Sequence, residues 1–309
     1  MPADDKIYEN KHEDINDFIQ RKQATGKSPK TLTEYSRTLQ KFYHEHFPEL
    51  TPEETQVYHV EEYVAILEQR GLAQNTKRRY VESLSAFFDY AMKRPRFEDI
   101  TGNPAAVVLE ELPRKRRERP DCATWENAKK IVHQIPDPQN KTIAILLAKT
   151  GARISEILSL EIDDLMLEDG FIRFQNRKGG TNTVNPIDTE TIQTLQRYQF
   201  IRSNNTDNEK LFVNIRGNPV RREQARRKIR EAAIQAQVME KGETRFHKKF
   251  TPHTFRTVFT TLMRNQGMPD HHLRYLRGDS DQDIMDLYTR IDRQQVRQNY
   301  LNAIQTLEL

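Results

Sequence analysis

The spacing of the apolar residues is the feature that most limits what this chain can fold into. Over the first third of the chain they recur at every third or fourth position, as Leu32, Tyr35 and Leu39 do, which places them on one face of a helix. The period shortens at 171–174 and 183–187, where two β-type runs flank the turn residues Lys178-Gly179-Gly180. The helical spacing then resumes. The pattern predicts a mainly α fold with a small β-hairpin or sheet.

A change in composition marks a domain boundary. Residues 1–28 are polar, a helix start is predicted at Ser28-Pro29, and helical stripes continue to residue 95. This predicts a small all-α domain over 1–95. Residues 96–120 hold several prolines and the basic run Arg114-Lys115-Arg116-Arg117, a pattern typical of a linker. Residues 121–309, which contain the hairpin, are then the second domain.

Composition narrows the class of protein. A length of 309 residues suits two domains, and 36% apolar against 30% charged residues requires a very polar surface. The net charge of +4 and a pI near 9.0 are compatible with a polyanionic partner without requiring one. The single cysteine, Cys122, cannot form an intramolecular disulfide, so a cytoplasmic location is expected. No membrane span, metal site or cofactor is expected, since apolar runs near ~18 residues and Cys-His clusters are absent.

Two segments carry candidate catalytic cations. In the run from Thr150 to Glu156, Gly151 ends one helix and Arg153 opens the next. A cation is electrostatically unfavourable at a helix N-terminus, which suggests that Arg153 binds an anion held there; an ordinary surface arginine is the alternative. Lys178 at the hairpin tip can protonate a leaving oxygen, or it is a plain turn lysine.

The segment from Thr251 to Arg256 is a third candidate. Thr251 can cap a helix that begins at Pro252, and His253 and Arg256 then share one face. An arginine binds phosphate oxygens in a bidentate way, and a histidine carries a proton near neutral pH. The alternative is a core histidine beside a surface arginine. Further along, Tyr288 occupies a helical core position and becomes a nucleophile only if a phosphate is held in front of it.

In this order, the pattern Arg…Lys-Gly…His-x-x-Arg…Tyr resembles the tyrosine recombinase (phage integrase) family, and the variant at Asp279 resembles an archaeal or archaeal-virus/plasmid branch of it. The segments that begin at Ser28 and Asn75 are similar to helices of the family's N-terminal core-binding (SAM-like) domain. The resemblance implies that this domain precedes a tyrosine-recombinase catalytic domain. It also implies five catalytic residues: Arg153, Lys178, His253, Arg256 and Tyr288.

The resemblance further implies a mechanism. Arg153 and Arg256 clamp the scissile phosphate, His253 donates a hydrogen bond or helps to take the tyrosine proton, and Lys178 protonates the departing 5′-oxygen. Tyr288 carries a 3′-phosphotyrosyl link, which conserves the bond energy, so that neither ATP nor a metal is needed. Glu156, one turn after Arg153, is expected to orient that arginine or another residue of the site.

One position departs from the family pattern. Leu-Gly-His, or a tryptophan in place of the histidine, usually stands nine residues before the tyrosine, whereas this chain has Arg277-Gly278-Asp279. An ionised carboxylate cannot donate a hydrogen bond to phosphate. Asp279 is therefore expected to cap the following helix at 280–281. It could instead position a neighbouring donor, or His271 or His272 could take over the role.

Further cations are candidate contacts to the phosphate backbone of double-stranded DNA, although a solvated charged surface is the alternative for each group. They are Arg114, Lys115, Arg116 and Arg117 in the linker, Arg221, Arg222, Arg226 and Arg227 in a predicted helix, and Lys248 and Lys249 before Pro252.

The end of the chain carries an apolar stripe of Val296, Tyr300, Ile304 and Leu307. A terminal helix of this kind packs on its own domain or, as the family resemblance implies, inserts into a neighbouring protomer as an exchange helix. We expect the exchange, with a homotetramer on DNA and a monomer or weak oligomer when free.

The sequence indicates a site-specific recombinase, with integration as the first expectation. A chromosome- or plasmid-dimer resolvase of the same family carries the same residues. A type IB topoisomerase uses similar tyrosine chemistry, and a DNA-binding relative inactivated by Asp279 would retain most of the pattern.

Overall fold

The computed structural model describes residues 13–114, 120–175, 177, 182–202, 208–279 and 291–309. The chain forms two compact units, 1–117 and 118–309. The described α-helices of the first unit are α1 Glu13–Ala24, α2 Pro29–Gln40, α3 Val57–Gln69, α4 Gln74–Ala91 and α5 Pro104–Glu111. Those of the second are α6 Trp125–His133, α7 Pro138–Thr150, α8 Ile154–Ser159, α9 Thr189–Ile201, α10 Arg222–Gln235, α11 Pro252–Asn265, α12 Asp270–Arg277 and α13 Arg293–Ala303. The predicted mainly α fold is confirmed.

The first unit is built around an aromatic core to which the predicted stripes contribute Leu39, Phe42 and Phe87. Rings meet edge to face here, for example Phe42 on Tyr63 at 5.2 Å between centroids. The start at Ser28-Pro29 is confirmed, since Ser28 Oγ accepts the Thr31 N–H and Pro29 begins α2.

Helix α1 lies inside the N-terminal segment whose polar composition shows no helical signal. Three of its residues, Ile15, Phe18 and Ile19, are nevertheless buried and pack into the aromatic core. Phe18 is surrounded by the rings of Tyr35, Phe87 and Tyr90. These three large apolar residues form a narrow stripe, yet their burial makes the helix part of the core.

The predicted linker is shorter than 96–120. Helix α5 lies within it, capped by Asn103, whose Oδ1 accepts the Ala106 N–H at 2.9 Å, and started by Pro104. Ala105 and Val108 of α5 are buried in the first core. Pro104, one of the prolines that suggested a linker, begins a short helix, because proline is favourable at a first helical position. Lys115, Arg116 and Arg117 lie outside the described residues.

The second unit surrounds α7, whose residues from Thr142 to Thr150 are all buried. Three strands, β1 Leu165–Met166, β2 Phe171–Phe174 and β3 Thr183–Pro186, form an antiparallel sheet in the order β1-β2-β3. Phe171 pairs with Pro186 and Phe174 with Thr183, so the predicted hairpin is confirmed. Lys178, at its predicted tip, lies outside the described residues.

The chain terminus packs on its own unit. Val296 and Tyr300 of α13 join a small apolar cluster with α11 and α12, and Leu307 is buried in the main core. The Leu307 N–H donates to Glu190 Oε2 at 2.8 Å, and Trp125 Nε1 donates to the Thr306 carbonyl at 3.1 Å. Exchange with a neighbouring protomer remains a prediction, since a single chain does not test it. In the described ranges no helix is long and apolar enough to cross a membrane.

Candidate active site

Arg256 is held rigidly in the second unit. It lies in α11, which begins at Pro252 as predicted, and its side chain is almost entirely buried. Nη1 donates to the Gly151 carbonyl at 2.8 Å and to the Arg277 carbonyl at 3.0 Å, and Nη2 donates to Asp279 Oδ1 at 2.5 Å. The guanidinium therefore ties the end of α7 to the end of α12.

Arg153 faces the same place from the start of α8. Gly151 ends α7 in the left-handed conformation, with φ of +61°, and a Cβ at this position would lie 2.3 Å from the Phe259 ring. The chain can therefore turn here and approach α11 closely, as the predicted glycine stop requires. Arg153 precedes the first residue of α8, and its side chain is about a third exposed.

Glu156 orients Arg153, as expected from its position one turn later. Its carboxylate accepts from the Arg153 backbone N–H and from Arg153 Nη1, both at 2.8 Å. Burial by itself would raise the pKa of Glu156, but the hydrogen bond and charge of Arg177, together with the bonds from Arg153, outweigh it and lower the pKa. The ionised carboxylate also offsets the unfavourable position of a cation at the N-terminus of α8.

Arg177 is a site residue that the sequence pattern did not reveal. Its side chain is fully buried, where Nη2 donates to Glu156 Oε2 at 2.9 Å and Nη1 to the Leu276 carbonyl at 2.9 Å. Burial lowers its pKa, and the pairing with Glu156 opposes that effect. A Cβ on Gly278, whose φ is +58°, would lie 2.3 Å from Arg177 Nε, so only glycine fits the turn after α12. No apolar period distinguishes Arg177 from an ordinary turn arginine.

Asp279 lies where the guanidinium groups of Arg153, Arg256 and Arg277 converge. Its Oδ1 accepts from Arg256 and, at 3.4 Å, from Arg153, while Oδ2 lies 3.0 Å from Arg277 Nε. The carboxylate of Asp279 faces into the site rather than away from it, because this concentration of positive charge attracts it. The predicted cap at 280–281 falls on residues outside the described part of the chain and stays a prediction.

The two alternative donors, His271 and His272, both lie on α12, and their role stays a prediction. His272 is buried and its Nδ1 is 2.9 Å from Asn299 Nδ2, so it braces α12 against α13. The ring of His271 meets that of His272 edge to face, at 4.3 Å between ring centroids. The geometry agrees with an Asp279 that positions a neighbouring donor. Arg277 is the neighbour that it contacts, and the family pattern had not singled this arginine out.

The arginine cluster retains excess positive charge. Burial, and then the charges of Arg277 and Arg153, lower the pKa of Arg256 to about 10, while Asp279 and Glu156 oppose the shift. Arg256 is therefore still charged at neutral pH. Among the described residues, Asp279 is the carboxylate that all three guanidinium groups share. With Glu156 paired to Arg177, the cluster can bind an anion.

The remaining predicted catalytic residues are placed less completely. His253 lies in the first turn of α11, three positions before Arg256, with an exposed side chain. The shared helix predicted for these two residues is confirmed, although Arg256 points into the protein. Lys178 and Tyr288 lie outside the described residues, so their roles remain predictions.

The basic segment after Pro219 forms a helix, as predicted. Helix α10 buries Ala225 and Ile229 and exposes its cations. Several of these lie within ion-pair distance of glutamates on the same helix, as Arg226 does with Glu223 at 3.3 Å. Such exposed pairs contribute little to stability. The exposed candidates for DNA contact are Arg114, Arg221, Arg222, Arg226, Arg227 and Lys248, and Lys249 is half-buried.

Known proteins resemble this chain over most of its length. Residues 124–295 match the model of the phage integrase family, and residues 15–96 match the phage integrase N-terminal SAM-like domain. Tyrosine recombinase XerD of Staphylococcus haemolyticus is 26% identical over 293 residues, covering 89% of this chain and 92% of its own. XerD of Staphylococcus saprophyticus is 26% identical over 302 residues, covering 92% of this chain and 94% of its own.

Solved structures share the fold. A lambda integrase tetramer bound to a Holliday junction superposes with a TM-score of 0.70 at 17% identity, over 91% of this chain and 81% of that one. The Tn1549 transposon integrase in complex with a circular intermediate DNA gives 0.67 at 20% identity, over 92% and 98%. Because the family model matches more than half of the chain and the resemblance of the motifs agrees with it, the chain belongs to the phage integrase family of tyrosine recombinases.

Proposed function

We propose that this protein is a site-specific DNA recombinase that cleaves and rejoins DNA through Tyr288, with integration as its reaction. The observation that carries the proposal is the convergence of Arg153 and Arg256 on one carboxylate, at the junction of α7, α8, α11 and α12. Guanidinium groups that already share an anionic oxygen of the protein are spaced to share a phosphate oxygen.

The proposed step is an in-line displacement at the scissile phosphate. The Tyr288 hydroxyl attacks phosphorus, its proton passing to His253 or to solvent, and a new bond joins the tyrosine to the 3′-phosphate. The bond to the 5′-oxygen breaks, and Lys178 protonates that oxygen. Arg153 and Arg256 offset the negative charge that grows in the transition state. The phosphotyrosyl link conserves the bond energy, so rejoining needs neither ATP nor a metal.

The DNA duplex is proposed to lie along the exposed cations of α10 and the residues before α11. Phosphate contacts of this kind position a protein on the duplex without reading its sequence. A tetramer is the proposed assembly, in line with the Holliday-junction complex of lambda integrase. In that assembly the segment from α13 to Leu309 would leave its own unit and bind a neighbour. A cytoplasmic location follows from acting on a genome.

Covalent trapping tests the proposal. DNA that the protein binds tightly is first selected from random duplexes. A nick is then placed close to the cleavage position, so that the short fragment with the released 5′-hydroxyl diffuses away and cannot be rejoined. A denaturing gel then separates protein covalently attached to DNA. The wild-type protein should give a shifted band that Tyr288→Phe removes while DNA binding stays within about threefold of wild type, a bound of ~0.7 kcal/mol.

The contrary outcomes are each informative. A band that persists in Tyr288→Phe would refute the assignment of the nucleophile. A tightly bound site without any band would identify an inactive DNA-binding relative. Relaxation of supercoiled plasmid lacking the selected site would point to a topoisomerase. The arrangement of the selected site in the genome, in an element boundary or in a single resolution locus, separates integrase from resolvase.

A further inference from the structure

The tripeptide Arg277-Gly278-Asp279 departs from the family's Leu-Gly-His at two positions of opposite charge. Asp279 adds a negative charge where a donor to phosphate is expected, and Arg277 adds a positive charge two residues earlier. Gly278 is shared, because Arg177 lies against its α-carbon. The two departures compensate each other in charge, which suggests that they act as a pair.

Asp279 connects Arg277 to Arg153 and Arg256, the two arginines proposed to clamp the phosphate. Its Oδ2 contacts Arg277 Nε, and its Oδ1 contacts Arg256 and Arg153. The Arg277 carbonyl accepts from Arg256 Nη1 at 3.0 Å, so the backbone of Arg277 is held as well. The charge of Arg277 is, after burial, the largest cause of the lowered pKa of Arg256, because the two guanidinium groups lie close together.

Arg277 is also placed to meet a ligand. Its side chain is 28% exposed, close to the 30% of Arg153, whereas that of Arg256 is 4% exposed. Nε is the Arg277 atom in the contact with Asp279, at 3.0 Å from Oδ2. Arginine has five N–H donors, so one carboxylate does not saturate it.

We propose that Arg277 is a third phosphate-binding residue of the site, and that Asp279 positions it. The pair thereby replaces the neutral donor that the family has at the position of Asp279. This inference rests on the proposed function, since it assigns a further contact to the same scissile phosphate.

Charge shows why the pair is needed. Three guanidinium groups and the carboxylate that they share leave two positive charges to meet a phosphodiester with one negative charge. The pentavalent transition state carries one more, which the remaining charge balances. Without Arg277 the same transition state would leave the cluster net negative beside Asp279, and an unfavourable interaction of like charges in a partly buried site would oppose the reaction.

The first test compares Arg277→Ala with wild type in the trapping assay on two substrates. On the ordinary phosphodiester we expect the rate of adduct formation to fall by about 10²-fold, the size seen when a donor to a developing oxyanion is removed. On a duplex whose scissile linkage is a neutral methylphosphonate, the same variant should differ from wild type by less than about 5-fold, since the charge that Arg277 offsets is absent. The ratio between substrates does not depend on how much of the variant is folded.

Arg264→Ala is the matched control. Arg264 lies on α11 and pairs with Asp270 at 3.1 Å, but both side chains are largely exposed. It should match wild type on both substrates.

The second test addresses Asp279. Arg277→Leu alone leaves the carboxylate opposing the phosphate, whereas Arg277→Leu with Asp279→His restores Leu-Gly-His and supplies a neutral donor. We expect the double variant to recover to within about tenfold of wild type, ~1.4 kcal/mol, while Arg277→Leu stays about 10²-fold down. A merely structural role for Asp279 predicts no such recovery, and absence of recovery overturns its assignment as the positioning residue.

The outcomes separate the two proposals. If wild type forms no adduct, the proposed function fails, and this inference fails with it. If wild type forms an adduct that Tyr288→Phe removes, but Arg277→Ala cleaves the phosphodiester normally or is equally impaired on both substrates, Arg277 does not bind the phosphate and the proposed function stands.

Discussion

Two groups of charged side chains adjoin the C-terminal end of α7, one around Lys149 and one formed by the three arginines with Asp279, and they are built in opposite ways. Lys149 is fully buried, and its Nζ lies 2.6 Å from both Asp188 and Glu190 and 2.7 Å from the Gln305 carbonyl. In the second group, the guanidinium groups of Arg153, Arg256 and Arg277 share the carboxylate of Asp279. Within the described part of the chain, Lys149 has two carboxylates for its one positive charge, whereas the three arginines share one carboxylate among three positive charges.

The difference separates a structural charge from one that is prepared for a ligand. A buried charge is tolerated when partners surround it. Because the partners of Lys149 include Glu190 of α9 and the Gln305 carbonyl, Lys149 attaches the chain terminus to α9. The arginine cluster is left short of anions and partly open to solvent, so that it stays unfavourable until an anion arrives. Variants of the two clusters should therefore affect different quantities, stability in one case and catalysis in the other.

Lys149→Met should have the largest effect, on stability. The substitution leaves Asp188 and Glu190 without their shared cation, and removal of one partner of a buried pair costs about 3–5 kcal/mol. Urea unfolding measures the loss. Lys228→Met is the control, because Lys228 and Glu231 form an exposed pair worth ~0.5 kcal/mol. Equal losses in the two variants would contradict the view of Lys149 as a structural charge.

Arg256→Lys should lower the cleavage rate by about 10²–10³-fold, equivalent to ~2.7–4 kcal/mol. An ammonium group can replace the charge but not the fork that joins Gly151, Arg277 and Asp279. Single-turnover trapping measures the rate, corrected for the folded fraction. Arg264→Lys on the same helix should be neutral. A rate near that of wild type would show that charge alone suffices and that the geometry described for Arg256 is unnecessary.

Arg177→Met should have an intermediate effect and lower both the stability and the cleavage rate. Hydrogen bonds to charged groups contribute about 1.5–3 kcal/mol each, and this variant loses the one from Arg177 to Glu156. Because Glu156 also holds Arg153, we expect cleavage to decrease by about tenfold through loss of its orientation. Unfolding and trapping are measured on the same protein. A loss of stability with an unchanged cleavage rate would place Arg177 with Lys149 rather than with the clamp.

The smallest expected effect is on the pH dependence of stability. Burial would raise the pKa of Glu190, but its bonds to Lys149 and to the backbone of Leu307 outweigh this and lower the pKa. A lowered pKa in the folded state stabilises the protein above the ordinary glutamate range near ~4.3, and that stabilisation is lost as pH falls through the folded value. Unfolding free energies from about pH 7 to 3 should therefore decline more steeply in wild type than in Glu190→Gln. Parallel curves would contradict the assignment.

Local sequence patterns predicted most of the elements and part of the site. The strand period of 171–174 and 183–187, the glycine stop at Gly151 and the helix start at Pro252 depend on backbone preferences that neighbouring residues determine. Helix α1 was missed because its apolar stripe is narrow, and α5 because the prolines around it indicated a linker; only the surrounding core shows that both are buried.

What the sequence determined by itself was the order of Arg153, His253 and Arg256, and hence the family, since a motif is written in the chain. What only the tertiary structure decided was the partnership among distant charges. Arg177 reaches Glu156 and the end of α12, and the carboxylate of Asp279 turns inward to Arg256. The physical reason is that electrostatic energy depends on separation in space and on burial, and neither is encoded in local spacing.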